Sequence, residues 1–506
     1  MSINYVEKIR KALVYDVARR TPLENAPRLS AQLDNTILLK REDLQPVFSF
    51  KLRGAYNKII GLPPQQRQCG VIAASAGNHA QGVALAAHRL NLRAVIVMPR
   101  TTPPIKVDAV KKLGAEVILH GDIYDEANAE AVRFAKRNGL TLIHPYDDVD
   151  VIAGQGTIAM EILEQHPQTI DAIFVPVGGG GLIAGIAAYV KALRPEIKII
   201  GVEPHDAACL HQALLHGERI VLSEVGIFAD GVAVRQVGAE PFRIARDHVD
   251  EVILVGSDEI CAAIMDVFDE TRSITEPAGA LAVAGIKKYI ERENVQGCTF
   301  VAISSGANMN FDRLRYVAER AELGERREAL FGVTIPEQPG SFYKFCQAIG
   351  NRSITEFNYR YSDRTDAQVF VGVQLSKGKH EKNALLQHLQ QSGYSVTDMS
   401  DNEMAKLHIR YMIGGNVDID NEHLYRFEFP ERPGALLQFL STIGNSWNIS
   451  LFHYRNHGAA YGRVLMGIQA EGGHLERLHS FLAELNYSWN EESTNPAYRQ
   501  FLRKKG

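Results

Sequence analysis

Phe174-Val175-Pro176-Val177-Gly178-Gly179-Gly180-Gly181-Leu182-Ile183-Ala184-Gly185 is the stretch on which the fold turns. An apolar run ends in four glycines and resumes as small apolar residues, which is the pattern of strand, loop and helix. Four glycines inside a helix would cost about 3–4 kcal/mol relative to alanine, at about 1 kcal/mol each. They therefore form a loop whose bare backbone something approaches closely. A phosphate suits such a loop, because clustered N–H groups and a helix N-terminus favour an anion and the missing Cβ atoms let it come near. A flexible strand–helix turn is the plainer alternative. The run matches neither G-x-G-x-x-G nor G-x-x-x-x-G-K-[ST], so it indicates no particular nucleotide.

Around this stretch, from about Asn35 to Asn310, short apolar runs alternate with helix-length segments. The predicted strands are Thr36–Lys40, Val71–Ala74, Arg93–Met98, Glu116–His120, Thr141–Ile143, Ala172–Val177, Lys198–Val202, Glu251–Val255 and Thr299–Ser304. Helical patterns cover Asp122–Arg137, Asp258–Thr271 and Ala278–Glu291. The alternation predicts an α/β fold with largely parallel sheets and ligands at the carboxyl ends of the strands.

The 506 residues exceed the usual single-domain size, so two to four domains are expected. A net charge of −4 without a basic stripe argues against nucleic acid as a partner. The cysteines, at 69, 209, 261, 298 and 346, are few and scattered with no C-x-x-C, so neither a metal site nor a disulfide framework is indicated. Met1 to Arg20 has no apolar h-region. The uncharged run Ala172 to Val190 is broken by Pro176 and the glycines, so no membrane span is expected. A cytoplasmic protein is the expectation.

Past the charged stretch Arg315 to Ala329 the pattern changes and repeats. Phe331 to Phe345, with Pro336, Pro339 and Gly340, is matched 94 positions later by Tyr425 to Phe439, with Pro430, Pro433 and Gly434. Ile349-Gly350-Asn351 matches Ile443-Gly444-Asn445. After one extra residue, Phe357-Asn358-Tyr359-Arg360 matches Phe452-His453-Tyr454-Arg455. Each copy reads β-α-β-β-α with a closing strand, a split βαβ unit forming a small four-stranded sheet. The domain expectation is a first domain over residues 1–318, a connector at 319–329, repeats at 330–400 and 424–494 joined by 401–423, and a tail at 495–506.

Three short segments carry chemistry. In Ser49-Phe50-Lys51-Leu52-Arg53-Gly54-Ala55 a lysine sits among apolar and small residues, which suggests a desolvated amine of lowered pKa, free for imine chemistry; an ordinary surface lysine is the alternative. Ser75-Ala76-Gly77-Asn78-His79-Ala80-Gln81-Gly82 follows a strand and opens a helix, presenting free N–H groups to a carboxylate or phosphate, or merely capping a helix. Asn78 can bond a ligand hydroxyl, and His79 reads as a packed residue rather than a base. Ser304-Ser305-Gly306-Ala307-Asn308 ends the last strand, in the expected crevice. An amine, a phosphate cradle, an anion-binding turn and a serine at a strand end together suit pyridoxal 5′-phosphate.

At these residues the sequence resembles the fold-type-II pyridoxal-phosphate enzymes (tryptophan synthase β-like), and within them the threonine/serine dehydratases. The trailing repeats are similar to ferredoxin-like, α+β ACT-like regulatory domains. The resemblance implies that Lys51 holds the cofactor covalently, Phe50 packs on its ring and Asn78 bonds its ring hydroxyl. It implies that Gly178, Gly179, Gly180, Gly181 and Leu182 hold the phosphate, that Ser305 faces the pyridine nitrogen, and that Ser75, Ala76, Gly77 and Asn78 bind the substrate carboxylate. The implied reaction is deamination of L-threonine, and secondarily L-serine, to a 2-oxo acid and ammonia, the first step toward isoleucine. Isoleucine is the implied inhibitor, valine its opponent, and a homotetramer the implied assembly. Tyr359 and Tyr454, equivalent in the two repeats, are the expected effector contacts, with core aromatics as the alternative.

Three other readings stand beside this one. A β-replacement or threonine-forming enzyme would use the same cofactor, but the paired repeats argue against it. A non-catalytic amino-acid sensor would lack the covalent cofactor. A dinucleotide dehydrogenase lacks its fingerprint here.

Overall fold

The structure is a computed structural model that describes residues 3–336, 341–350, 352, 354–359, 366–376, 378–411, 421–430, 448–455, 461–470, 475–484 and 487–502. The chain divides into two compact units, Met1–Ala321 and Glu322–Gly506.

The first unit holds β1 (Leu23–Asn25), β2 (Thr36–Arg41), β3 (Val71–Ala74), β4 (Ala94–Met98), β5 (Glu116–Leu119), β6 (Thr141–Leu142), β7 (Ala172–Pro176), β8 (Lys198–Pro204), β9 (Glu251–Val255) and β10 (Thr299–Ser304). Six strands in the order β1-β2-β10-β7-β8-β9 form one sheet, parallel except for β1 against β2. Four parallel strands in the order β5-β4-β3-β6 form the other. Each expected strand is present within two residues of its predicted ends. β1 was not expected, because three residues carry no readable period. Every residue of β3, β4 and β7 is buried, which is why these strands read as continuous apolar runs rather than alternating ones.

Five helices frame the strand ends: α1 (Lys51–Ile60), α2 (Asn78–Arg89), α3 (Val149–Gln165), α4 (Gly181–Leu193) and α5 (Pro277–Glu293). Glycines set how closely they pack. A Cβ on Gly82 of α2 would lie 3.0 Å from the Lys51 carbonyl carbon, and one on Gly154 of α3 would lie 2.7 Å from the Arg53 oxygen. The first turns of α1 are therefore wedged between two helices, backbone against backbone. The uncharged run from Ala172 to Val190 is β7, the glycine loop and most of α4. Among the described residues no helix is long and apolar enough to cross a membrane. The charged stretch begins as a helix, Arg313–Gly324, but Arg320 within it is buried and pairs with Asp258 and Tyr316, so one face is not solvated.

The second unit carries β11 (Glu328–Pro336), β12 (Ile354–Tyr359), β13 (Asp366–Gln374) and β14 (Ser395–Asp398), then β15 (Glu422–Pro430), β16 (Asn448–Arg455), β17 (Tyr461–Gln469) and β18 (Ser488–Glu491). They form two antiparallel sheets of the same topology, β12-β13-β11-β14 and β16-β17-β15-β18. Tyr359 pairs with Val369 and Tyr454 with Val464, so the two tyrosines hold equivalent registers. Their side chains lie outside the described residues, as do the Pro339-Gly340 and Pro433-Gly434 turns and the rest of 431–447. The likeness of the copies runs past 400 and 494. Ser400 Oγ accepts from Leu330 N at 3.1 Å, and Ser493 Oγ accepts from Leu424 N at 3.1 Å. Each copy then closes with a short helix capped by an asparagine, Glu403–Leu407 after Asn402 and Pro496–Phe501 after Asn495. Asn402 Nδ2 donates to Asn495 Oδ1 at 3.1 Å, joining the two caps.

Candidate active site

The carboxyl ends of β3, β7 and β10 carry the Ser75–Gly82 segment, the glycine loop and the Ser304–Asn308 segment, and specific contacts tie the lysine segment to them. Lys51 opens α1. Phe50 N donates to Ser305 O at 3.2 Å, and Ser49 bridges Gly306, so the lysine segment is laced to the end of β10. Lys51 Nζ donates to Pro145 O at 3.1 Å and lies 5.3 Å from the centroid of the Phe50 ring. Burial pushes the Lys51 ammonium down to about 8, against the pull of Glu276. About a tenth of the amine is then neutral at pH 7, far more than an ordinary lysine offers, and imine chemistry needs that form.

The next residue, Tyr146, lies over the glycine loop. A Cβ on Gly179 would meet its ring at 2.2 Å, and one on Gly181 would lie 3.0 Å from the Tyr146 Cα. Gly180 has φ +90° and caps α4, a conformation that glycine adopts without strain. Among the described residues the N–H groups of Gly178, Gly179, Gly180, Gly181 and Leu182 donate to no protein acceptor. Five free donors at the head of a helix, with no side chain to block approach, fit the phosphate of pyridoxal 5′-phosphate. The Lys51 amine, bonded to the carbonyl of the residue before Tyr146, fits its aldehyde.

Asn78 opens α2 at the end of β3. Its Nδ2 donates to Glu276 Oε1 at 2.5 Å, and its Oδ1 accepts from Asn308 Nδ2 at 2.6 Å. Ser75, Ala76 and Gly77 form the turn before it; Ser75 Oγ accepts from Gly77 N at 3.2 Å, and a Cβ on Gly77 would meet nothing within 4 Å. That open side, facing a helix N-terminus, can take a carboxylate. Ser305 is buried and donates from Oγ to Ala278 O at 3.2 Å, at the head of α5. His79 is buried with Nε2 2.8 Å from Ile143 O, and burial and the Lys51 charge push it down to about 3. It is a packed neutral residue, as read from its place in a first helical turn.

Several site residues were missed in the sequence. Glu276 stands just before α5, buried, and burial with the nearby Asp230 charge pushes its carboxyl up to about 7. Asp230 is held by Lys106 at 2.6 Å and Arg313 at 3.0 Å. Pro145 and Tyr146 sit in a connection with no motif. The one available signal was Glu276-Pro277-Ala278-Gly279-Ala280, a lone acid at the head of a run of small residues.

Residues 14–306 match the family described as pyridoxal-phosphate dependent enzyme, and residues 319–409 and 413–502 match the C-terminal regulatory domain of threonine dehydratase. The chain is 56% identical over 505 residues to the biosynthetic L-threonine dehydratase IlvA of Burkholderia multivorans, covering 99% of each chain. It is 55% identical to the Escherichia coli protein of the same name, covering 98% of this chain and 97% of that one. Among solved structures, the processed form of threonine deaminase isoform 2 from Solanum lycopersicum is 52% identical, with a TM-score of 0.62 over 63% of this chain and 92% of that one. Maize serine racemase is 33% identical, with a TM-score of 0.58 over 62% of this chain and 96% of that one.

Proposed function

This chain belongs to the pyridoxal-phosphate dependent enzymes, in the threonine dehydratase group that carries a C-terminal regulatory domain, and we propose on that premise that it deaminates L-threonine to 2-oxobutanoate and ammonia. The observation that carries this reading is the link from the Lys51 amine, through Pro145 and Tyr146, to the five unengaged amides of the glycine loop. When bound, pyridoxal 5′-phosphate supplies the electron-withdrawing ring that makes the substrate Cα–H acidic and lets the β-hydroxyl depart.

The remaining work falls to the chain. The amides of residues 178–182 hold the phosphate, and the Phe50 ring packs on the cofactor. The Ser75–Asn78 turn holds the substrate carboxylate at the head of α2, and Asn78 bonds the ring hydroxyl. Lys51 would be the residue that holds the cofactor and, at Nζ, the base that takes the substrate Cα proton, and its depressed pKa would keep it available in that role. Ser305, whose hydroxyl donates to the Ala278 carbonyl here, would have to turn it to the ring nitrogen to offer a neutral donor there, a partner that would favour elimination over a long-lived carbanion. Water leaves across Cα–Cβ, and one water is taken up again as the C–N bond is hydrolysed, so threonine gives 2-oxobutanoate and ammonia with no net water consumed.

L-Serine is a second substrate in this reading, because one methyl group in an apolar pocket is worth only about 1–3 kcal/mol. The paired repeats bind isoleucine as inhibitor and valine as its opponent, with Tyr359 and Tyr454 at equivalent registers supporting them as contacts. They act by binding two global states unequally. A cytoplasmic homotetramer completes the reading. The test is formation of 2-oxobutanoate from threonine with and without isoleucine. The reading expects turnover that isoleucine suppresses in the whole chain but not in a fragment ending near residue 329. Absence of turnover by cofactor-loaded protein would refute the activity, and an isoleucine-sensitive fragment would refute the effector assignment.

A further inference from the structure

The roles above leave Glu276 without a task, although it is buried and touches the residue expected to bond the cofactor ring. Resting on that reading, we propose that Glu276 is a positioning residue for the cofactor: its carboxyl fixes the side-chain amide of Asn78 from one side while Asn308 fixes it from the other, and it holds a proton at that edge of the site.

The bonding pattern allows one orientation of the Asn78 amide. Nδ2 donates to Glu276 Oε1 at 2.5 Å, and Oδ1 accepts from Asn308 Nδ2 at 2.6 Å. Asn308 Nδ2 is itself anchored on Val47 O at 2.9 Å. Turning the amide over would set Oδ1 against a carboxyl oxygen and Nδ2 against another Nδ2. The arrangement leaves one Nδ2 hydrogen for a ligand. Space for the carboxyl comes from two glycines: a Cβ on Gly306 would lie 2.6 Å from Glu276 Oε1, and one on Gly231 would lie 3.3 Å from it. Among the described residues Oε2 has no hydrogen-bond partner.

The charged groups facing Glu276 come from every side. Lys51 approaches from α1. Asp230, in the turn Asp230–Val232, is held between Lys106 and Arg313. Burial and Asp230 favour the neutral carboxyl, while Lys106 and Arg313 oppose it. Neutral, Glu276 is a donor at Oε2 and an acceptor at Oε1; ionised, it can only accept. Its protonation thus sets whether the ring-hydroxyl edge meets a donor or a negative charge.

The experiment compares wild type, Glu276→Gln, Glu276→Leu and Asp230→Asn as full-length protein. In cofactor-free protein, difference infrared spectra between wild type and Glu276→Gln should show a protonated carboxyl at pH 6 that is lost by pH 8. In loaded wild type, the visible absorption of the cofactor should change over the same range, and Glu276→Gln should flatten that change. That variant keeps an acceptor at Oε1 and a donor in place of the protonated Oε2, so it should bind cofactor within about threefold of wild type and keep its kcat across the range, whereas Glu276→Leu, which cannot fix the Asn78 amide, should lose roughly tenfold or more in kcat with little change in KM. Asp230→Asn removes a neighbouring negative charge and should move the transition downward by about half a unit or more. A wild-type carboxyl already ionised at pH 6, a Glu276→Gln protein with the wild-type pH profile, or a Glu276→Leu protein with the wild-type kcat overturns the proposal while leaving threonine deamination intact. A wild-type chain that took up no cofactor would overturn both.

Discussion

The ring of Tyr146 lies so close over Gly179 that a methyl group there would meet it at 2.2 Å. The glycine is thus required by a neighbour on one side, and on the proposed reading by a phosphate on the other. Gly179→Ala should weaken cofactor binding at least tenfold and destabilise the fold by about 1–3 kcal/mol. Adding Tyr146→Ala should recover part of the stability, because the clash is removed. Cofactor titration and urea unfolding measure the two effects. A Gly179→Ala protein that binds like wild type would mean that the loop can move aside.

Arg53, two residues past the lysine, is fully buried and holds Glu42 at 2.8 Å and Glu161 at 2.6 Å. Lys40 meets Glu161 at 2.5 Å in the same closed network. Burial opposes the Arg53 charge, but the two carboxylates more than offset it and raise its pKa. Arg53→Met leaves two buried carboxylates with one lysine and should cost about 3–5 kcal/mol by denaturant unfolding. Glu42→Gln in that background should return part of the loss, since one unpaired charge is then gone. A cost near zero would show that the network does not anchor α1.

Asp230 predicts an acid limb. Burial opposes its charge, yet Lys106 and Arg313 hold its carboxyl well below the ordinary carboxylate range. A depressed folded-state pKa means that the stabilisation is present above the unfolded value, near 3.9, and is lost as the pH falls toward the folded one. Wild type should therefore lose more stability between pH 5 and pH 3 than Asp230→Asn does. Parallel curves would contradict the pairing as a source of stability.

Ser305 is buried with Oγ on the Ala278 carbonyl at 3.2 Å. Ser305→Asp replaces a neutral donor with a carboxylate that would hold a ring nitrogen protonated and favour carbanion build-up. The expected outcome is a shift in product ratio away from 2-oxobutanoate and slower turnover. Unchanged activity and ratio would count against the role given to this serine.

The parts legible in the sequence were those with a local pattern. β7, the glycine loop and α4 follow from an apolar run, four glycines and small residues in succession, and the repeats declare themselves at Pro336 and Pro430. The residues that escaped owe their roles to distant partners. Glu276 and Asn78 are 198 positions apart, Lys51 and Pro145 are 94 apart, and no periodicity announces either contact. Arg53 stood inside a quoted motif, yet its role depends on Glu161, which is 108 positions away on α3. The closing helices after Asn402 and Asn495 were missed because one copy begins with Pro496 and the other with Glu403, which masks the repeat.

The most direct test of the account is the site of cofactor attachment. Borohydride reduction of the coloured, loaded protein, followed by peptide mapping, should find the pyridoxyl group on Lys51 and abolish threonine turnover. A label on another lysine, or a protein that stays colourless and takes up no label, would contradict it.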